Sequence, residues 1–207
     1  PGTKLIVNEF DIVGNGGSPR RTERFIAFVE DLLQRGAPID VIGFQGHFWS
    51  PRLTAPEDIW KTIDKFAHLG LPLKIAEFDM NIPDEQLQAD YTRDFLTAWF
   101  SHPATEAFTM WGFWSKAHWM QEAGAMYRDD WSPKPNAHAY ENLVLGEWWT
   151  DEKATTGETG EASVRAFLGE YLLDVSAPGF RSAQRTWKHE RNGSTMTIVL
   201  PPTTISD

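Results

Sequence analysis

Side chains able to do acid, base or nucleophilic chemistry gather at the ends of short apolar runs in this chain. Asn8, Glu9 and Asp11 close the first run, Gln45 and His47 the second, Glu77 and Asp79 the third, and Trp111 the fourth. If the runs are parallel strands, these ends share the sheet edge at which βα folds build their sites. Positions two apart on a strand share a face, so Glu77 and Asp79 point the same way, as do Gln45 and His47. Adjacent strands then bring His47 within reach of both carboxylates. An imidazole oriented by one acid and donating to another favours the ionised form of the second, the state a carboxylate nucleophile needs. Glu77 is the strongest candidate for that role. One such end alone reads better as a solvated rim; three together favour a site. A metal centre matches less well, because no H-E-x-x-H occurs and the six His are scattered.

Other motifs resolve into loops. Gly14-Asn15-Gly16 runs into Pro19 where a dinucleotide loop needs Gly, and neither a G-x-S-x-G nor a phosphate-binding Gly-Lys pair is present. Trp111, Trp114 and Trp119 crowd the fourth run and its loop, and sugar rings stack on such indole faces.

The elements that must position these groups follow from periodicity. Residues 4–10 read as a buried strand. A helix follows with Phe25, Ile26, Val29, Leu32 and Leu33 on one face, stopped at Gly36. Residues 40–44 form the second strand, and Thr54 with Glu57 predicts a capping box for a helix bearing Ile59, Trp60, Ile63 and Phe66. Residues 73–78 form a third strand, followed by Leu87, Tyr91, Phe95 and Trp99 at helical spacing; a fourth strand covers 106–111, and a last helix lies around 137–147. Four βα units imply an α/β fold with a parallel sheet, either doubly wound or one arc of a (β/α) barrel. After residue 149 a polar stretch broken by Gly157 and Gly160 leads to FLGEYLLDV, then to the alternating Met196, Ile198 and Leu200. With Asn192-Gly193 as a hairpin signal, a small antiparallel β appendage is expected over 150–207, beside a domain over 1–149.

Composition narrows the partners. The 207 residues carry a formal charge of -10 and include 10 Trp, so polyanions such as nucleic acid or an anionic membrane are disfavoured and a neutral or cationic ligand suits the chain. The absence of Cys excludes disulfides, thiolate metal sites and Cys nucleophiles. No apolar run approaches the roughly 18 residues of a membrane span. A first residue other than Met suggests a processed or excised chain.

Four motifs in order, VNEFD, IGFQGH, IAEFDM and MWGFWSKAHW, resemble the fifth to eighth strand motifs of glycoside hydrolase family 10, the endo-xylanases. The 30-residue step from His47 to Glu77 and the 8-residue step from Trp111 to Trp119 are similar too. The resemblance covers about residues 1–149, and the tail is similar to a small β appendage found after the barrel in some members. It implies the C-terminal half of a (β/α)₈ TIM barrel, strands five to eight, followed by a small antiparallel β domain. By resemblance the activity is retaining endo-1,4-β-xylan hydrolysis without cofactor or metal. Glu77 would be the nucleophile, His47 its hydrogen-bond partner and Asp79 the group behind His47. Asn8, Gln45 and Phe10 would line the cleft, and Trp111 and Trp119 would wall the sugar site. Glu9, Phe10, Asp11, Ala76 and Ser115 depart from the usual family residues.

The family's acid/base Glu lies on the fourth strand, upstream of Pro1. Glu9 sits 68 residues before Glu77, the spacing of fifth strand to seventh, and receives no acid/base role. A half barrel has open edges, so the expected partners are xylan or xylo-oligosaccharide together with the missing N-terminal half or a second copy. A polymeric substrate implies secretion. The alternative is a non-catalytic carbohydrate-binding half-domain or pseudoenzyme.

Overall fold

The β-branched and aromatic runs form strands that alternate with amphipathic helices in the computed structural model, which describes residues 2–190 and 193–203. The chain divides into two units, one ending at Leu143 and one beginning at Val144. In the first, the order is β1 (Ile6–Glu9), α1 (Pro19–Gln34), β2 (Val41–Phe44), β3 (His47–Trp49), α2 (Pro56–Ala67), β4 (Leu73–Asn81), α3 (Glu85–Phe100), β5 (Thr105–Met110) and α4 (Pro135–Glu141). All five strands run parallel: β1 pairs with β2, and β4 pairs with β2, β3 and β5. β1 and β5 end the order, and Leu5 and Ile6 beside that first edge are exposed. Among the described residues no helix is long and apolar enough to cross a membrane.

The predicted second strand is interrupted. Val41–Phe44 pairs with the start of β4, and after Gly46 a short β3 pairs with its end, placing His47 opposite Asp79. Gly46 has φ +84°, and a Cβ there would stand 3.2 Å from Ile75 Cγ2, so the kink needs glycine. β4 carries its own irregularity. Leu73 and Ile75 join the apolar core, then a register shift between Ile75 and Phe78 moves the core-facing set to Phe78, Met80 and Ile82. Odd positions 77 and 79 are thereby released from the core to the site.

The helices supply the opposing apolar layer: Phe25 and Val29 from α1, Ile59, Ile63 and Phe66 from α2, and Tyr91, Phe95 and Trp99 from α3. Phe95 centres an aromatic cluster, with ring centroids 5.0 Å from Phe78 and 5.2 Å from Phe48. Thr54 does not form the predicted capping box. The cap of α2 is Ala55, and Pro56 opens the helix. The buried Thr54 hydroxyl instead donates to Val13 O at 2.6 Å and accepts from Gly16 N–H, pinning the loop after β1. Asp84 does cap α3, its carboxylate accepting from Gln86 N and Leu87 N at 2.9 and 3.1 Å. Asp84→Ala is expected to cost about 1 kcal/mol in urea unfolding, and Asp84→Ser to recover most of it.

In the second unit, β6 (Gly169–Val175) and β7 (Ala183–His189) form an antiparallel hairpin with Tyr171 opposite Trp187. The alternation at Met196, Ile198 and Leu200 does not become a strand: residues 193–200 hold none. Asn192 of the expected hairpin turn lies outside the described residues. The chain reverses earlier, at Pro178-Gly179, where Phe180 N–H reaches Ala177 O and Gly179 takes φ +81°. Proline ahead of a left-handed glycine is the sequence preference of a type II turn, and it sets the pairing upstream of Asn192.

Candidate active site

Three strands and one loop converge on two carboxylates. His47 Nδ1 lies 2.6 Å from Asp79 Oδ1 and Nε2 lies 3.2 Å from Glu77 Oε2, so one imidazole spans both acids. Asn8 Nδ2 donates to the other oxygen of Glu77 at 3.1 Å, reaching from β1 across β2 to β4. Gly43 opens that path: a Cβ there would fall 2.8 Å from Asn8 Oδ1 and 2.7 Å from Ile6 Cδ1. Trp119 Nε1 donates to Asp79 Oδ2 at 2.7 Å. The Asp79 side chain is fully buried, whereas Glu77 keeps 18% exposure, enough to meet a ligand.

Indoles surround the imidazole. Trp111, Trp119 and Trp49 place their rings 6.4, 5.8 and 6.0 Å from His47, Trp111 and Trp119 edge-on. Trp111 and Trp119 remain more than half exposed. Gln45 is half-buried at the end of β2, where its carbonyl accepts Glu77 N–H at 2.9 Å. Phe10 stands apart from the hydrogen-bonded group, exposed, with the Arg21 guanidinium 3.9 Å over its ring. Glu9 accepts Phe10 N–H and lies 3.6 Å from Arg21.

Two members of the site escaped sequence reasoning. Trp49 sits two residues beyond His47, and the period-two rule applied past Gly46 would have found it. His118, within MWGFWSKAHW and next to Trp119, places Nε2 3.6 Å from Asp79 Oδ2, and no strand or helix period singles it out. Among the described residues, no group of three or more His, Cys, Asp or Glu is arranged to hold a metal ion.

The electrostatics follow from this packing. Burial pulls the His47 imidazole down, but hydrogen bonds and charges, first from Asp79 and then from Glu77, outweigh it, and the net movement is upward from 6.5. With both nitrogens facing carboxylate oxygens, the protonated ring can donate to both acids, which is why its charged form is favoured. A raised folded value means stability fully present below the unfolded 6.5 and lost as pH rises through the folded value. The melting temperature is therefore expected to fall on that alkaline side, and His47→Gln to flatten the fall. Thermal melts across neutral pH check this, and parallel curves for the two proteins refute it.

Acids, an imidazole and indoles gathered on the C-terminal rim of a parallel βα sheet are the setting of an enzyme site. Comparison makes this specific. The chain belongs to glycosyl hydrolase family 10, whose profile matches residues 1–144. It is 27% identical to endo-1,4-beta-xylanase 1 of Arabidopsis thaliana over 97% of this chain and 21% of that protein. It is 30% identical to anti-sigma-I factor RsgI6 of Acetivibrio thermocellus over 95% of this chain and 25% of that one. The crystal structure of xylanase 10B from Thermotoga petrophila RKU-1 in complex with xylobiose superimposes with TM-score 0.61 at 25% identity, covering 68% of this chain and 46% of that one. The chain thus spans about a quarter of those curated relatives and under half of the solved enzyme.

Proposed function

We propose that this chain is the C-terminal half of a retaining endo-1,4-β-xylanase barrel, with Glu77 as nucleophile. The observation that carries the reading is the Glu77 carboxylate itself, held by Asn8 and His47 at the strand ends and partly open beside exposed indoles. In the first half-reaction a Glu77 oxygen bonds the anomeric carbon as the glycosidic C–O bond breaks. The leaving oxygen takes its proton from a second carboxyl about 5–5.5 Å from the nucleophile. Water then cleaves the glycosyl ester, returning its proton to that second group. Glu9 is engaged by Arg21 and by the Phe10 N–H and takes no acid/base role in this reading, which assigns that role to the other half of the barrel. Asp79 orients His47, Gln45 and Asn8 line the cleft, and Phe10 lies further along it.

The remaining strands complete the sheet at the edges of β1 and β5, from the rest of a longer polypeptide or from a second copy. The unit beginning at Val144, with its β6–β7 hairpin, is read as the β appendage expected over 150–207. An extracellular site of action suits a polymeric substrate. Small-angle scattering showing a stable solitary 23.5 kDa particle counts against completion by a partner.

The test uses a dinitrophenyl 2-deoxy-2-fluoro-xylobioside, whose phenolate departs without acid assistance. Intact mass should show one added glycosyl group, mapping to the peptide with Glu77 and absent in Glu77→Gln. Label on another carboxylate overturns the assignment. The exposed faces of Trp111 and Trp119 beside His47 favour a second reading as a glycan-binding half-domain. Xylohexaose quenching of Trp fluorescence with no labelling would select it.

A further inference from the structure

His118 is a buried titratable group that the proposed reaction leaves unused, and its surroundings are built to hold it. Its ring lies between two glycines: a Cβ on Gly112 would come 2.9 Å from His118 Cδ2, and one on Gly124 would come 2.4 Å from Cε1. Both positions must be bare for an imidazole to lie there. Within that slot Met120 N–H donates to His118 Nδ1 at 3.1 Å. A ring nitrogen that accepts carries no proton, so the neutral tautomer bears its hydrogen on Nε2. That nitrogen is fully enclosed, makes no hydrogen bond of normal length, and points at Asp79 Oδ2, 3.6 Å away. The same oxygen already accepts from Trp119, while the other oxygen of Asp79 holds His47.

We propose that His118 is a positioning residue that sets the acid-side limit of the site: neutral, it steadies Asp79 as a third N–H neighbour; protonated, it competes with His47 for that carboxylate. The inference rests on the reading of Glu77 and His47 as working groups, but its geometry stands without it.

The charged and titratable groups around His118 are Asp79 on β4, His47 on β3 and Lys134 just before α4. Burial holds the imidazole below its ordinary value, Asp79 offsets part of this, and Lys134 and His47 add to it. Protonation also requires giving up the bond from Met120 N–H. His118 therefore stays neutral through the range where His47 is already cationic. Asp79 then has one cationic partner, and His47 keeps its second N–H on Glu77. Once acid protonates His118, two imidazoliums face one buried carboxylate. The stronger claim of His118 on Oδ2 weakens the Asp79–His47 bond and, through it, the hold on Glu77.

The test is a long-range ¹H–¹⁵N imidazole titration of the full chain from about pH 4 to 8. Expected are an Nε2–H tautomer for His118, protonation of His118 at lower pH than His47, and a second step in the His47 signals as His118 becomes charged. His118→Gln, which keeps an amide donor but cannot titrate, should abolish that second step. A single His47 step unaffected by His118, or an Nδ1–H tautomer, overturns the proposal. If the variant fails to fold, the wild-type titration alone decides. The labelling of Glu77 is a separate readout, so loss of the glycosidase reading and loss of this one are distinguishable.

Discussion

Glu77→Gln is expected to lower kcat/KM for an aryl xylobioside on the order of 10⁴-fold in the completed barrel, with the folded state almost unchanged. The amide cannot bond the anomeric carbon as a stable ester, so the double-displacement route closes. A loss of that size is about 5 kcal/mol of transition-state stabilisation. The side-chain volume stays the same, and the amide oxygen can still accept from either His47 Nε2 or Asn8 Nδ2, which now face the two ends of Glu77. Urea midpoints should therefore agree within about 1 kcal/mol of stability. Initial rates beside equilibrium unfolding make the comparison. A variant retaining a substantial share of turnover removes Glu77 from the nucleophile's place.

Asp79→Ala should act in the opposite manner, damaging the fold first. The carboxylate is fully buried and accepts from His47 Nδ1 at 2.6 Å and Trp119 Nε1 at 2.7 Å. Deleting it leaves two donors without acceptors, the imidazole of His47 and the indole of Trp119. Breaking a buried pair from one side costs about 3–5 kcal/mol. Asp79→Asn keeps one acceptor oxygen but must turn its NH₂ toward a donor, so an intermediate loss is expected. Denaturant unfolding of the three proteins reads this order directly. Equal stability of Asp79→Ala and the parent would show that the Asp79–His47 pair carries no structural load.

The two substitutions together separate reacting groups from holding groups. Glu77 is partly exposed and is expected to lose little when neutralised; Asp79 is enclosed and is expected to lose much. His47 couples them, since its two nitrogens join the exposed acid to the buried one. The alkaline loss of stability expected from His47 and the acid limit assigned to His118 bracket a pH window in which Asp79 serves one cation at a time.

Much of this was legible in the linear chain because strand ends and helix faces obey short periods. The positions of Asn8, His47, Glu77 and Asp79 follow from apolar runs closing on polar residues, and the order of those runs makes them neighbours on a parallel sheet. Tertiary structure alone decided the rest. Simple alternation would keep Leu73, Ile75, Glu77 and Asp79 on one face, and the register shift in β4 is what frees the two acids from the core. Gly43 and Gly46 are chosen by the approach of Asn8 and Ile75 from other strands, a spatial contact that no local pattern encodes. Thr54 gave a capping signal, yet its hydroxyl was claimed by Val13, 41 residues away. His118 became part of the site only because a loop folds it between two bare glycines onto Asp79. Local sequence sets which backbone shapes are cheap and which faces are apolar; which side chains meet across strands depends on packing, where a missing Cβ or one shifted register decides the partner.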